Sequence, residues 1–493
     1  MRLWIGLYLP RLPLEVFCPN WSDDACGVVL EHEQVMALSA RARQAGVSHG
    51  MRRGGVLILA PHARVHQRAP LQEAQALQAV ALALLQYTPL VAAAEEATLL
   101  IDIGASLRLF GGIRKLCRAI RASLRGLGFT ARLSCAPTAR GAWLLARGGA
   151  GRTLTMAAMA RRLDSLPASL APPARPFLSW LDGIGCATLG QMRQLPRPGL
   201  QRRCGRELLD MLDAAHGHAV ELFEWIVAPP SFRARLELFE RVDDAGALLS
   251  GARSLLLQMT GWMCARQLAV ESVNLLLEHE RGRVARAPTV IDIVLAEPAW
   301  RGEHLLRLLK ERLARMTLDA PVIGLCLEAL QVHAMAPPSA SLFPEPGATP
   351  QERRRLLELL AARLGEDNVL QAAPLADYRP ETANAWLPVQ RNISAAARQQ
   401  QLPADLSGMP RPGWLLARPL ALMTRNERPY YGSPLKMVSV PERIEAGWWS
   451  TAEARDYFIA VGQDHAHYWV YRERISGSGE DGAPRWYLHG LFS

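Results

Sequence analysis

The chain has 493 residues and a mass of 54.3 kDa, enough for roughly three to five domains. Hydrophobic residues make up 49% and mean hydropathy is +0.02; that excludes global disorder, and no apolar run approaches the ~20 residues that span a bilayer. The net charge of +10, with a pI of about 9.5, fits a polyanionic partner.

Almost all the positive charge is arginine, since Lys115, Lys310 and Lys436 are the only lysines. Arginine is the bidentate reader of phosphates and base edges. A GC-rich genome also writes Arg for Lys and inflates Ala, so the ratio is assigned to codon usage and the net charge carries the argument. Eight cysteines are scattered without a C-x-x-C pair. Structural zinc and a disulfide framework are not expected, and a reducing cytoplasm fits. The apolar run Leu3–Pro10 is broken by Pro10 and Arg11 and has no small-residue cleavage site after it, so no secretory signal is expected.

In chain order, residues 3–9 predict a buried strand, with a helix starting near Leu14. Residues 28–62 predict short strands around a Gly-containing turn, and Leu71–Tyr87 a helix. Thr98–Ile103 reads as a strand carrying Asp102 near its end. Ile113–Leu127 has the spacing of an amphipathic helix with Arg and Lys on one face, and Phe129–Ser134 reads as a third strand. The alternation is α/β. Leu166–Pro176, rich in Pro and Ala, predicts a hinge, followed by a helical stretch to about Trp225 that Pro229–Pro230 closes.

Residues 232–333 predict a strand at 233–239, a helix at 245–264, strands at 268–278 and 289–296, a helix at 303–316 and a strand at 322–332. This is β-α-β-β-α-β, the split βαβ order. The second helix is expected to bury Leu305, Leu306, Leu309, Leu313 and Met316. Ala336–Pro350 reads as a linker and Gln351–Leu364 as an amphipathic helix with an Arg-rich outer face. Polar sequence returns around 395–412. From Trp414 the composition turns aromatic, with six of nine tyrosines between Tyr430 and Tyr487, which predicts a small β-rich module.

Two motifs point to nucleic acid. Ala42-Arg-Gln-Ala-Gly-Val-Ser-His-Gly-Met51 resembles the fingers motif of Y-family translesion DNA polymerases, in which an Arg, here Arg43, meets the incoming triphosphate. Trp180-Leu-Asp-Gly-Ile-Gly-Cys-Ala-Thr-Leu189 resembles a helix-hairpin-helix. Gly183, Ile184 and Gly185 would let backbone approach a phosphate, with unpaired N–H groups at the next helix N-terminus. Arg193, Arg197, Arg202 and Arg203 follow, and such contacts position DNA without reading sequence.

The order of parts resembles the Y family as a whole. It implies an α/β and α+β multidomain fold: palm (1–17 and 80–165), fingers (18–79), helix-hairpin-helix thumb (166–230) and βαββαβ little finger (231–335), with its sheet along the duplex backbone. A linker (336–350) and a C-terminal helical and β-rich partner-binding region (351–493) complete it. Leu12-Pro-Leu-Glu15, Leu107-Arg-Leu-Phe-Gly-Gly112, Pro441–Trp449 and Trp486–Phe492 resemble the polymerase-like branch found in bacterial mutasome operons, so the resemblance covers essentially the whole chain.

Nucleotidyl transfer needs carboxylates that hold two metals ~3.5–4 Å apart. Active relatives carry I-D-x-D-x-F-F-x-x-V-E in the first strand. Matching its Glu to Glu15 puts Gly6 and Tyr8 at the Asp positions. Their second motif, S-x-D-E-x-x-L-D, matched to Asp102, puts Ala97 and Thr98 where the Asp-Glu pair belongs. Neither set offers a hard-cation ligand. Glu95 and Glu96 lie just upstream, and a register slip that recruited them would need a bulge. Ala40 stands where the fingers Tyr is expected, and the palm Lys pattern near Thr138–Arg147 is not evident. Asp102 is either a leftover metal ligand or a structural cap at the strand end.

No catalytic residue, metal or cofactor is therefore expected. The resemblance implies a non-catalytic adaptor in error-prone DNA repair that binds DNA, the sliding clamp, an ImuA-type protein and an error-prone C-family DNA polymerase, with no membrane role. The alternative is an active Mg-dependent Y-family polymerase using Asp102 with Glu95 or Glu96. For the clamp, Ser339-Ala340-Ser341-Leu342-Phe343 resembles Q-x-S/D-L-F with Ser339 in place of Gln. Gln401-Leu-Pro-Ala-Asp-Leu406 is the second candidate.

Overall fold

The structure is a computed structural model that describes residues 2–20, 26–149, 151–280, 286–335, 350–375, 377–389, 410–426, 428–446, 453–474 and 485–492. The chain divides into two units, 1–359 and 360–493.

The first unit opens with β1 (Trp4–Tyr8), α1 (Leu12–Glu15), β2 (Gly27–Glu31), β3 (Gln34–Leu38), α2 (Ala40–Gln44), α3 (Arg53–Leu59) and β4 (Arg64–Gln67). There follow α4 (Pro70–Leu84), β5 (Val91–Ala94), β6 (Thr98–Asp102), α5 (Ile113–Leu127), β7 (Arg132–Ala136), α6 (Ala139–Arg147) and α7 (Met156–Asp164). Strands β5-β6-β1-β7 form one antiparallel sheet, and β3-β2-β4 form a separate small one.

In the central strand β1, Gly6 pairs with Leu100 and Ser134, while Ile5 pairs with Ile101 and Cys135. Side chains alternate between faces, so these two rows face opposite sides. α6 covers the Gly6 row, where Trp4, Leu100 and Ala142 share a core. α5 covers the Ile5 row, with Cys117 Sγ 3.9 Å from Cys135 Sγ.

Two local expectations change here. The β2–β3 turn is His32–Glu33, both left-handed at φ 50° and 63°; the glycine turns, Gly46 and Gly50, come after α2. The strand predicted at 129–134 starts at Arg132, because Gly128 ends α5 in a left-handed cap and the Thr130 N–H donates to Glu15 Oε2 at 2.8 Å.

The Pro/Ala-rich stretch is packed structure rather than a hinge. It forms two 3-10 helices, Ala168–Leu170 and Pro172–Phe177, with Ala168, Ala171 and Ala174 buried in one core. Alanines every third residue match a three-residue turn and give it one small face. Helices α8 (Leu178–Gly183), α9 (Leu189–Gln194), α10 (Arg197–Cys204) and α11 (Arg206–His216) follow. The helical stretch stops at Gly217, in the left-handed conformation, and not near Trp225. Beyond it the chain runs back over the first sheet: Trp225 stacks on Trp4 at 6.1 Å, and the Ile226 N–H donates to Val91 O at 2.8 Å.

Then come β8 (Arg233–Val242), α12 (Leu249–Arg266), β9 (Leu268–His279), β10 (Thr289–Ala299), α13 (Gly302–Arg315) and β11 (Val322–Ala334), the predicted order. The sheet order is β10-β9-β11-β8, antiparallel throughout, so each strand–helix–strand unit has a foreign strand between its two strands. α13 buries Leu305, Leu308, Leu309 and Leu313; Leu308 replaces the expected Leu306 and Met316, which are half-buried. α14 (Pro350–Leu364) is anchored by buried Glu358, which accepts the Ala296 N–H at 2.6 Å and meets His304 Nε2 at 2.5 Å.

The second unit has a hairpin, β12 (Leu370–Pro374) and β13 (Asn384–Pro388). A larger sheet holds β14 (Trp414–Arg425), β15 (Arg428–Tyr431), β16 (Ser433–Pro434), β17 (Lys436–Met437), β18 (Glu442–Ala446), β19 (Glu453–Val461), β20 (His467–Glu473) and β21 (Trp486–Leu491). The aromatic residues that announced this module fill two clusters. Tyr468 and Trp486 lie in one, and Tyr457, Trp469 and Tyr471 in the other.

Candidate active site and nucleic-acid interface

At Gly6, α6 lies against the strand. A Cβ built on Gly6 would sit 2.2 Å from the Ala142 carbonyl oxygen and 2.5 Å from its carbon. Backbone cannot yield as a flexible side chain can, so position 6 has no room for any side chain. The contact follows from the sequence: Gly6 meets a helix whose facing residues, Gly141 and Ala142, are small and buried.

The β5–β6 hairpin carries Glu95 and Glu96. Its register runs without a bulge from Ala94↔Thr98 to Val91↔Ile101, and Glu96 and Ala97 form the left-handed tip. Thus Ala97 is a turn residue and Thr98 a buried strand residue. Glu96 pairs with Arg147 and with Arg175, the latter at 2.6 Å; Glu95 lies 3.8 Å from Arg140. Trp143 lies between Arg140 and Arg147, at 5.0 and 4.4 Å from their guanidinium carbons, and its Nε1 donates to Glu95 O at 3.1 Å. Arg147 is nearly buried and donates to Leu170 O at 2.7 Å. Burial lowers its pKa and Glu96 opposes that shift.

The N-terminus of α6 is also occupied. Glu221, from the returning segment, accepts the Ala139 and Arg140 N–H groups at 3.0 and 2.7 Å. Burial raises its carboxyl pKa, and these two backbone bonds oppose the rise. An internal carboxylate therefore sits where this helix end would receive an anion.

Asp102 behaves as the structural cap. It is buried, accepts the Gly104 N–H at 3.0 Å and lies 4.0 Å from Arg2 Nε. In the 42–51 motif, Ala42 and Val47 are core residues and Gly46 closes α2, while Arg43 is exposed. Among the described residues, no group of three or more His, Cys, Asp and Glu side chains is placed to hold a metal.

The Gly183–Gly185 segment forms a turn between α8 and α9, with Gly185 left-handed at φ +71° and open space beside Gly183 and Gly185. Ile184 is half-exposed. The N–H groups are not unpaired, however. Those of Ile184, Gly185 and Cys186 donate to carbonyls of α8, and those of Ala187 and Thr188 to Gln191 Oε1. The Leu189 N–H donates to Leu166 O and the Gln191 N–H to Thr188 Oγ1, completing a capping box.

The nearby arginines are partly engaged. Arg193 pairs with Asp164 at 2.9 Å, and Arg197 grips Asp213 with two bonds at 2.9 and 2.6 Å, holding that carboxyl below its usual range. Arg203 lies over the Trp180 ring at 5.5 Å, and Arg202 Nε donates to Pro198 O at 3.4 Å. On the solvent side of the split βαβ sheet, Arg233 pairs with Glu328 at 3.0 Å and Arg235 with Glu278 at 2.8 Å. Ser339, Ala340, Ser341, Leu342 and Phe343 lie outside the described residues, as does 401–406.

Sequence reasoning missed Arg147, Arg175 and Glu221 here. The supposed hinge and the long separations concealed them; the small residues at 6, 141 and 142 were the only local signal.

Residues 17–147 match the impB/mucB/samB family (IMS). That segment spans the β3-β2-β4 sheet, the β5–β6 hairpin and α6, and this stretch is similar to that family. The similarity to a curated relative runs along most of the chain. The chain is 26% identical over 471 residues to Protein ImuB of Caulobacter vibrioides, in each of two strains, covering 91% of this chain and 100% of that protein. A solved structure described as "Dbh Ternary Complex (substrates partially disordered)" matches 68% of this chain and 100% of its own at 16% identity, with a TM-score of 0.37. Among the described residues no helix is long and apolar enough to cross a membrane.

Proposed function

We propose that this chain is a non-catalytic adaptor in error-prone translesion DNA synthesis and repair. The observation that carries the proposal is the Gly6–Ala142 contact, which leaves no space for a metal-binding carboxylate at position 6 of the central strand. The arginines beside the two carboxylates that a slipped register would need support it: Arg147 and Arg175 hold Glu96, and Arg140 lies 3.8 Å from Glu95.

In this reading residues 1–17 and 80–165 act as the palm, 18–79 as the fingers, 166–230 as the thumb and 231–335 as the little finger. Leu342 and Phe343 engage the sliding clamp. The region 351–493 recruits the ImuA-type protein and the error-prone C-family polymerase. Similarity to ImuB along the chain supports this assignment.

Primer extension on purified full-length protein, at DNA concentrations that saturate binding, tests the proposal. The expected result is DNA binding without extension in Mg²⁺ or Mn²⁺. Metal-dependent extension that disappears in Asp102→Ala establishes the active-polymerase alternative instead.

A further inference from the structure

Helix α5 has five cations in fifteen residues, Arg114, Lys115, Arg118, Arg121 and Arg125, and no acidic residue. All five are exposed, and among the described residues none forms an ion pair with a carboxylate. The opposite side, Leu116, Cys117, Ile120, Leu124 and Leu127, is buried. Helix rotation is therefore fixed by the core, and the cations are held outward.

The arginines at 114, 118, 121 and 125 follow a 4-3-4 spacing, which places them in one stripe ~16 Å long with steps of ~4.5–6 Å. Like charges at these spacings repel. Arg114 and Lys115 also occupy the first turn, where the helix dipole disfavours cations. Among the described residues no carboxylate pairs with these cations to offset either cost, which points to an external polyanion.

The C-terminal end of the stripe adds neutral hydrogen-bonding groups. A groove of about 360 Å³ there is bounded by Arg121, Arg125, Phe129, Asn20 and Thr130. Arg253 of α12, exposed, lies beside Gly126 and extends the positive surface.

We propose that the α5 stripe is a DNA-backbone track separate from the hairpin and from the split βαβ sheet. A row of arginine forks at near-regular steps fits the repeating phosphates of one strand. The identity of the polyanion rests on the DNA-binding function proposed above; the existence of the cationic track does not.

The test uses full-length protein and the variant Arg118→Gln/Arg121→Gln/Arg125→Gln. Binding of a labelled single strand, a primer-template and polyglutamate is measured by fluorescence anisotropy across a salt series. Losing three phosphate contacts should make the single-strand log–log salt slope shallower by about 2 and weaken binding roughly 100-fold at 0.1 M salt. The triple Lys variant at these positions should keep the wild-type slope, and circular dichroism should show all variants folded. An unchanged slope in the Gln variant overturns the track. Loss of polyglutamate binding with DNA binding intact also overturns it, in favour of an acidic protein surface. If the wild type binds no DNA at all, the DNA-binding function itself fails.

Discussion

Two helices pack on opposite faces of the same four-stranded sheet and treat charge in opposite ways. On the α6 face, Arg140, Arg147 and Arg175 meet Glu95 and Glu96, and Glu221 closes the helix N-terminus. On the α5 face, five cations stand in solvent without an ion-paired carboxylate among the described residues. On the first face Glu96 and Glu221 are held by internal partners. The second resembles an ordinary outer helix, yet its charge is uncompensated.

The largest expected effect comes from breaking the sealed face. Gly6→Asp, which puts a carboxylate where the sequence resemblance expects one, must displace the Ala142 backbone and bury that carboxylate. It should cost about 3 kcal/mol or more in chemical denaturation and give no extension activity. The same experiment on Arg118→Gln should change stability by no more than about 0.5 kcal/mol. Equal costs on the two faces would remove the distinction between them.

Glu221 sharpens the contrast through pH. Its folded-state pKa is raised, with burial the main cause. The folded state therefore binds more protons than the unfolded state above the ordinary glutamate range, and this group adds stability as pH falls from neutral through its raised pKa. Melting midpoints of Glu221→Gln and wild type, compared between pH 7 and pH 5, should show that increment in wild type and not in the variant. A variant with the same pH response would place Glu221 in contact with water.

The smallest effect is expected at the hairpin. Arg197 is exposed and already bound to Asp213, so Arg197→Gln should change DNA affinity by less than about threefold, because the charge removed was largely neutralised. A loss as large as that of the α5 variant would return the principal contact to the thumb.

Much of the architecture was legible because it is written in local periodicity. The bounds of α5, the strand at Thr98–Asp102 and the β-α-β-β-α-β order all follow from apolar spacing. Other features depend on partners far along the chain. Glu221 caps a helix that begins 82 residues earlier, and no spacing rule reaches that far. The Leu166–Pro176 stretch looked like a hinge because its prolines break α-helices, but alanines at every third position suit a 3-10 turn packed into a core. At the hairpin, Gly183-Ile-Gly185 correctly signalled the turn. The motif could not reveal that Gln191 and the α8 carbonyls already receive its N–H groups, since that depends on how tightly the turn closes.

The most direct measurement is photo-crosslinking of the full-length protein to a labelled DNA strand, followed by mass spectrometry of the attached peptides. The account predicts crosslinks concentrated in residues 108–132, on and around α5, with few in the hairpin. Crosslinks confined to 178–204 or to the 233–334 sheet, with none on α5, would contradict it.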